Sequence, residues 1–185
     1  MQGISLPNFE AFAEKFDFSK YKTLCDVGGA NGLLSRTVAK RHPHLKCTSW
    51  DLPPVEPIAR KAIDAAGLGD RVLTASGDFF KDALPKADVG MILHDWNLEN
   101  EKMLIGKAYE AVPDGGAFVV IENLIDDDRR ENVVGLMMSL NMLIEFGDAF
   151  DFTGEDFASW CKDARFRRTE VIHLRGPASA GVAYK

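Results

Sequence analysis

Glycines and a carboxylate follow the first apolar run of this sequence in a pattern that suits a charged ligand. The run leads into DVGGANG at residues 26–32. Glycines let the backbone approach a ligand closely, and a helix after such a turn directs its first N–H groups at it. A carboxylate at Asp26 suits a cofactor with an ammonium and a sulfonium better than it suits a diphosphate. We therefore predict a nucleotide-like cofactor beside Asp26, Gly28 and Gly29.

Two more acids follow the second and third apolar runs. Asp51 comes about 20 residues after the glycines, the spacing at which an acid accepts the ribose hydroxyls in dinucleotide-binding folds. Asp78 could accept a hydrogen bond from an adenine amino group, while the neighbouring Phe79 offers an aromatic face to the base. Asp78 also has a second interpretation, because acids after glycine often cap the backbone of a tight turn.

His94 is the histidine best placed to move a proton, because the other three flank a proline after a helix or lie on a late strand. Histidine ionises near neutral pH, so it can take the proton of a hydroxyl group as the oxygen attacks. Glu122 could accept a hydrogen bond from the second ring nitrogen of His94 and fix its tautomer. The alternatives are a histidine packed in the core and an acid that caps a helix.

These side chains need a scaffold that brings strand ends together. Helix and strand patterns alternate almost from end to end, which predicts an α/β fold with a mostly parallel sheet and helices on both faces. In open α/β sheets, ligands bind beyond the carboxyl ends of the strands, where these acids and His94 would lie. We predict seven strands, of which the last is antiparallel, at residues 23–27, 46–50, 72–76, 87–93, 117–121, 169–174 and 179–184.

Composition narrows the choice of partners. The chain has 185 residues, the length of one domain, and a net charge of −6. Nucleic acids and anionic membranes need clustered Lys and Arg, so neither is expected as a partner. No signal-like segment precedes the first helix, so we expect a cytoplasmic protein. The acids at 126–128 would point in alternating directions on an extended chain, and we predict no metal site.

A helix rich in methionine is predicted from Asn132 to Phe146. Methionine presents a soft and adaptable surface, which suits a pocket for a flat aromatic substrate. We predict that Met138 and Met142 face the substrate and that Asn141 selects its polar group. Methionines at helical spacing also occur in ordinary cores, which is the alternative interpretation.

Taken together, the motifs resemble the catalytic domain of the plant-type small-molecule O-methyltransferase family, which includes caffeic acid and acetylserotonin O-methyltransferases and bacterial relatives. The resemblance covers nearly all of the chain. The matching segments are DVGGANG at 26–32, DLP at 51–53, GDFF at 77–80, LHDW at 93–96, Gly115-Gly116 before the fifth strand with Glu122 after it, and TGEDF at 153–157.

The resemblance implies a Rossmann-like class I methyltransferase fold, S-adenosylmethionine as cofactor, and methyl transfer to a hydroxyl of a small aromatic molecule. It implies His94 as the catalytic base, held by Glu122 and by a second acid at Asp151. The cofactor contacts that it implies are Gly28, Asp51, Leu52, Asp78 and Phe79.

The same resemblance bears on domain organisation. We expect residues 1–20 to form a linker helix and residues 21–185 to form the methyltransferase domain. Family members usually carry an N-terminal dimerisation domain before this helix, which we expect this chain to lack. An apolar face on the opening helix, if exposed, would favour a homodimer.

Two other functions stay open. A nicotinamide-dependent oxidoreductase is disfavoured because the first turn reads G-G-x-x-G and lacks the G-x-G-x-x-G pattern of dinucleotide folds. A module that binds S-adenosylmethionine without transferring its methyl group is the second alternative, because a fold and a cofactor do not by themselves specify a reaction.

Overall fold

A computed structural model describes the backbone of residues 2–92 and 96–185 and the side chains of 5–92, 96–145 and 147–185. The helices are α1 (Gln2–Lys15), α2 (Leu33–Arg41), α3 (Glu56–Ala65), α4 (Leu98–Ala111), α5 (Val133–Phe146) and α6 (Gly154–Asp163). The strands are β1 (Thr23–Val27), β2 (Lys46–Asp51), β3 (Val72–Ser76), β4 (Val89–Met91), β5 (Ala117–Glu122), β6 (Arg168–Arg175) and β7 (Ala178–Tyr184).

The strands form one sheet in the order β3-β2-β1-β4-β5-β7-β6. The strands from β3 to β5 pair in parallel, and β7 pairs antiparallel with both of its neighbours. The predicted α/β sheet with an antiparallel last strand is therefore confirmed. The chain moves outward from β1 to β3 and then returns to β4, so the strand order reverses between β1 and β4. Such a reversal opens a crevice at the carboxyl ends of these strands.

The fourth strand is shorter than predicted. Within the described residues it covers Val89–Met91, and residues 93–95 lie outside them. Its beginning is set by Asp88, whose carboxylate accepts main-chain N–H bonds from Lys22 at 2.7 Å and Thr23 at 2.9 Å. The helix after it begins at Leu98, because the Asn97 side chain accepts the Asn100 N–H at 3.0 Å and caps the helix.

Buried side chains fill both faces of the sheet. On one face, α1 contributes Phe12, Ala13 and Phe16, each at most 4% exposed. These three side chains belong to the core, so they do not form the exposed apolar face that would favour a homodimer. On the other face, Phe118 and Phe157 have no exposed surface. Each buried phenylalanine contributes about 1.5–3 kcal/mol, so both layers hold the strands in place. Within the described residues, no helix is both long and apolar enough to cross a membrane.

Candidate cofactor and catalytic site

The turn after β1 folds around residues in the left-handed region of backbone space. Gly28 has φ of 74°, Ala30 of 49° and Gly32 of 68°. The Gly28 N–H donates to the Trp50 carbonyl oxygen at 2.8 Å, which fixes the turn against the end of β2. A Cβ added to Gly28 would meet no atom within 4 Å, so the turn borders open space in which a ligand can approach the backbone.

Asp51 joins this turn to the end of β2. Its Oδ2 accepts the Ala30 N–H at 2.8 Å, and its Oδ1 accepts the Leu52 N–H at 2.7 Å. Each carboxylate oxygen has two lone pairs, so one remains on each oxygen for the hydroxyl groups of a ribose. Leu52 is 42% exposed beside it. Asp51 thus lies at the end of β2 beside the glycine turn, as the sequence predicts. Its binding of the ribose hydroxyls stays a prediction.

Asp78 orders the turn that follows β3. Its Oδ1 accepts the Phe80 N–H at 3.0 Å, and its carboxylate lies 2.8 Å from the Lys81 ammonium. The hydrogen bond from Lys81, followed by that from Phe80, lowers the pKa of Asp78. Asp78 therefore caps this turn, as the second interpretation of the sequence predicts. Recognition of an adenine amino group remains a prediction for this carboxylate.

Four aromatic rings form a wall beside these acids. Phe79 lies 6.5 Å from Trp50, 4.8 Å from Phe80 and 5.7 Å from Trp96, measured between ring centroids. Trp96 also meets Phe80 edge to face at 4.8 Å. An aromatic role at the adenine is predicted for Phe79 from the sequence, and none is predicted for Trp96. Neither Trp50 nor Trp96 carries a recognisable signal for this cluster, because their sequence positions are far apart.

Asp26 lies beneath the glycine turn, with 7% of its surface exposed. The Ser35 hydroxyl donates to its Oδ2 at 3.5 Å. The buried Ser49 hydroxyl has no hydrogen-bond partner among the described residues. Burial raises the pKa of Asp26 to about 7; the Ser35 hydrogen bonds oppose this shift, and the negative charge of Asp51 adds to it. Contact between Asp26 and a cofactor stays a prediction.

The raised pKa of Asp26 predicts a loss of stability as the pH rises. In the unfolded chain this carboxyl ionises near 3.8, whereas in the folded protein it keeps its proton until about 7. The free energy of unfolding therefore falls across this window and is level above it. Asp26→Asn has no carboxyl group to ionise, so it does not lose stability in this way. The difference in melting temperature between Asp26→Asn and wild type, measured calorimetrically without cofactor, should therefore grow in favour of the variant as the pH rises from 3.8 to about 7.

Asp126→Asn is the matched control, because this carboxylate is only partly buried and accepts main-chain N–H bonds from Arg130, Glu131 and Asn132. These bonds, with that from Arg130 first, lower the pKa of Asp126 to about 2. Its contribution is fully present above the unfolded value of 3.8, so the difference between Asp126→Asn and wild type should be constant across the window. A constant difference for Asp26→Asn as well would contradict the shift.

The predicted proton-transfer residues are only partly described. His94 lies outside the described residues. Glu122 at the end of β5 is 7% exposed, and Asp151 before α6 is 3% exposed. Ile125 and Thr153 form a parallel bridge, which brings the segments after these two acids side by side. The roles of all three predicted catalytic residues stay predictions.

The three predicted substrate residues share one side of α5 but differ in exposure. Met142 is 7% exposed, Met138 is half-buried and Asn141 is exposed. A groove of about 660 Å³ runs from the beginning of this helix to the β6–β7 hairpin, lined in part by Asn132, Val133 and Pro177. The groove includes none of the predicted substrate residues, so it does not test them. Among the described residues, no three His, Cys, Asp or Glu side chains form a group that could hold a metal ion.

Comparison with known proteins identifies the family. The family profile of the O-methyltransferase domain matches residues 2–167. This match covers most of the chain, and the chain therefore belongs to the O-methyltransferase domain family. The resemblance drawn from the motifs is confirmed.

Individual relatives agree with this assignment. The tetracenomycin polyketide synthesis 8-O-methyl transferase TcmO of Streptomyces glaucescens is 36% identical over 95% of this chain and 52% of its own length. The N,N-dimethyltransferase OxyT of Streptomyces rimosus is 37% identical over 85% of this chain and 46% of its own. Human N-acetylserotonin methyltransferase, crystallised with S-adenosylmethionine, superposes with a TM-score of 0.90 at 30% identity, over all of this chain and 53% of its own. The chain thus spans about half the length of these relatives.

Proposed function

We propose that this chain is the catalytic domain of an S-adenosylmethionine-dependent O-methyltransferase that acts on a hydroxyl group of a small molecule. The observation that carries the proposal is the junction of the glycine turn with Asp51 at the strand-order reversal. There, the Asp51 carboxylate holds the Ala30 N–H at 2.8 Å, and Gly28 faces open space. Family membership and the human relative crystallised with S-adenosylmethionine support the same cofactor for this chain.

The residues of the site fit this cofactor. The main chain at Gly28 and Gly29 would lie against its methionine part, with Asp26 beneath the turn supplying negative charge when ionised. Asp51 would accept the ribose hydroxyls. The adenine would lie near Leu52, Asp78 and Phe79, where an exposed aliphatic chain and an aromatic wall adjoin a carboxylate.

The bound cofactor supplies a methyl carbon that is activated by a positively charged sulfur. The protein therefore has to align the acceptor oxygen with this carbon, exclude water and remove one proton. A phenol ionises near pH ~10, so a base must take the proton as the oxygen attacks. We assign this to His94, with Glu122 and Asp151 holding the imidazole and stabilising its positive charge.

The acceptor is proposed to be a hydroxyl on a small aromatic molecule. Met138 and Met142 would pack against its ring, and Asn141 would bind a polar substituent. The relative OxyT is named as an N,N-dimethyltransferase, so members of this family differ in the atom that they methylate. Methylation of an amine is therefore the second candidate function.

A transfer assay tests the proposal. The purified chain is incubated with S-adenosylmethionine carrying a deuterated methyl group and with matched pairs of aromatic alcohols and amines. Mass spectrometry should find label on an oxygen and an equal amount of S-adenosylhomocysteine. Label only on nitrogen would replace the first candidate by the second. Binding of the cofactor without transfer to any acceptor would favour the module without activity.

A further inference from the structure

We propose that Lys107 is a positioning residue for the adenine end of the cofactor site, an inference that rests on the proposed function. Lys107 lies on α4, and its Nζ donates hydrogen bonds to three main-chain carbonyl oxygens of one turn. The distances are 2.7 Å to Phe79, 3.1 Å to Phe80 and 2.9 Å to Asp82. An ammonium group has three N–H donors, so this turn uses all of them.

The turn that Lys107 holds, residues 78–82, contains Asp78 and Phe79, which are predicted to contact the adenine. It follows β3, and its other hydrogen bonds are mostly internal: the Asp78 N–H donates to Asp82 Oδ2 at 2.8 Å and the Lys81 N–H to the Asp78 carbonyl at 2.9 Å. Bonds within a turn fix its shape but not its place on the protein. Lys107 supplies charge-assisted bonds from a helix 25 to 28 residues away, and these anchor the turn to α4.

The same anchor sets the aromatic wall. Phe79 and Phe80 both contact Trp96, which lies directly before the cap of α4. The turn is thus held to the α4 region at two places, by the ammonium of Lys107 and by the indole of Trp96. Without the ammonium group, the three carbonyl oxygens would accept hydrogen bonds from water instead, and the rings of Phe79 and Phe80 could move relative to Trp96.

Because Lys107 acts through the turn, its loss should change cofactor affinity more than the chemical step. Lys107→Met keeps the length of the side chain and removes the donors. We expect the Kd for S-adenosylhomocysteine, measured by calorimetry, to rise about tenfold or more. The KM for S-adenosylmethionine should rise in parallel, with kcat at saturating cofactor little changed, since only uniform binding is lost.

Lys102→Met is the matched control, because this lysine lies on the same helix, carries the same charge and is exposed. It should leave the Kd and KM unchanged. Lys107→Arg keeps a cationic donor and should give an intermediate Kd, which guards against a folding defect in the methionine variant. The tryptophan fluorescence of the cofactor-free protein should change in Lys107→Met, since Trp50 and Trp96 both adjoin the turn.

The outcomes separate the two proposals. If wild type binds S-adenosylhomocysteine and Lys107→Met binds it equally well, the positioning role is wrong and the proposed function stands. A fall in kcat at unchanged KM, or an equal loss in Lys102→Met, would also overturn the role. If wild type binds no S-adenosylhomocysteine, the proposed function fails, and this inference fails with it.

Discussion

Replacement of His94 by alanine is expected to lower kcat for a phenolic acceptor by about 10²- to 10⁴-fold, the usual contribution of a general base. The loss should depend on the acceptor. A phenol that is already ionised at the assay pH needs no base, so an acidic nitrophenol should lose far less activity than an unsubstituted phenol. Rate measurements on a series of phenols, at saturating cofactor, test this relation directly.

His173→Ala is the control for this experiment, because His173 is an exposed histidine on β6, away from the predicted site. It should keep wild-type rates. The Kd for S-adenosylhomocysteine should be unchanged in His94→Ala, since the proposed base would act on the acceptor hydroxyl and not on the cofactor. An equal loss for acidic and weakly acidic phenols would show that His94 supports the structure and does not take the proton.

Gly29→Ala is expected to disrupt the cofactor turn. The added Cβ would overlap the Ser49 hydroxyl oxygen and lie 2.9 Å from the Asp26 carboxylate, both of which are buried. Such overpacking costs about 1–3 kcal/mol, and moving the turn away from these two side chains would relieve it but shift the main chain that borders the cofactor site. We expect the free energy of unfolding to fall by this amount in urea titrations. The Kd for S-adenosylhomocysteine should rise at least about tenfold.

Two further variants test the reason for this loss. Ser49→Ala removes the atom nearest to the new Cβ, so the double variant Gly29→Ala/Ser49→Ala should recover part of the affinity and stability. Gly106→Ala is the matched control, because a Cβ at this helical glycine meets nothing within 4 Å. It should stabilise the protein by about 0.5–1 kcal/mol. A Gly29→Ala protein with wild-type affinity would refute the close packing beneath the turn.

The order of helices and strands was predictable because each β/α unit carries its own local signals. The strand 23–27, its glycines and the acid at the end of the next strand can all be predicted from neighbouring residues, and Asp51 is predicted as a cofactor residue in this way. The position of Asp51 relative to Ala30 also follows, because the carboxyl ends of adjacent parallel strands lie side by side.

Features that depend on contacts between distant parts of the chain could not be predicted correctly from the sequence. The short fourth strand is set partly by Asp88, whose carboxylate bonds to a segment more than sixty residues earlier. The apolar face of α1 could not be assigned to the core or to a partner from its pattern alone, and the structure buries it. Lys107 resembles any other lysine on a helix until its three carbonyl partners are seen.

The central claim is that the turns at the carboxyl ends of β1, β2 and β3 bind S-adenosylmethionine, and a calorimetric titration tests it most directly. Wild type and Asp51→Ala are each titrated with S-adenosylmethionine and, separately, with NADH. The account predicts that wild type binds S-adenosylmethionine in preference to NADH and that Asp51→Ala loses this binding, because the variant lacks the carboxylate that is proposed to bind the ribose. Preference for NADH, or undiminished S-adenosylmethionine binding in Asp51→Ala, would contradict it.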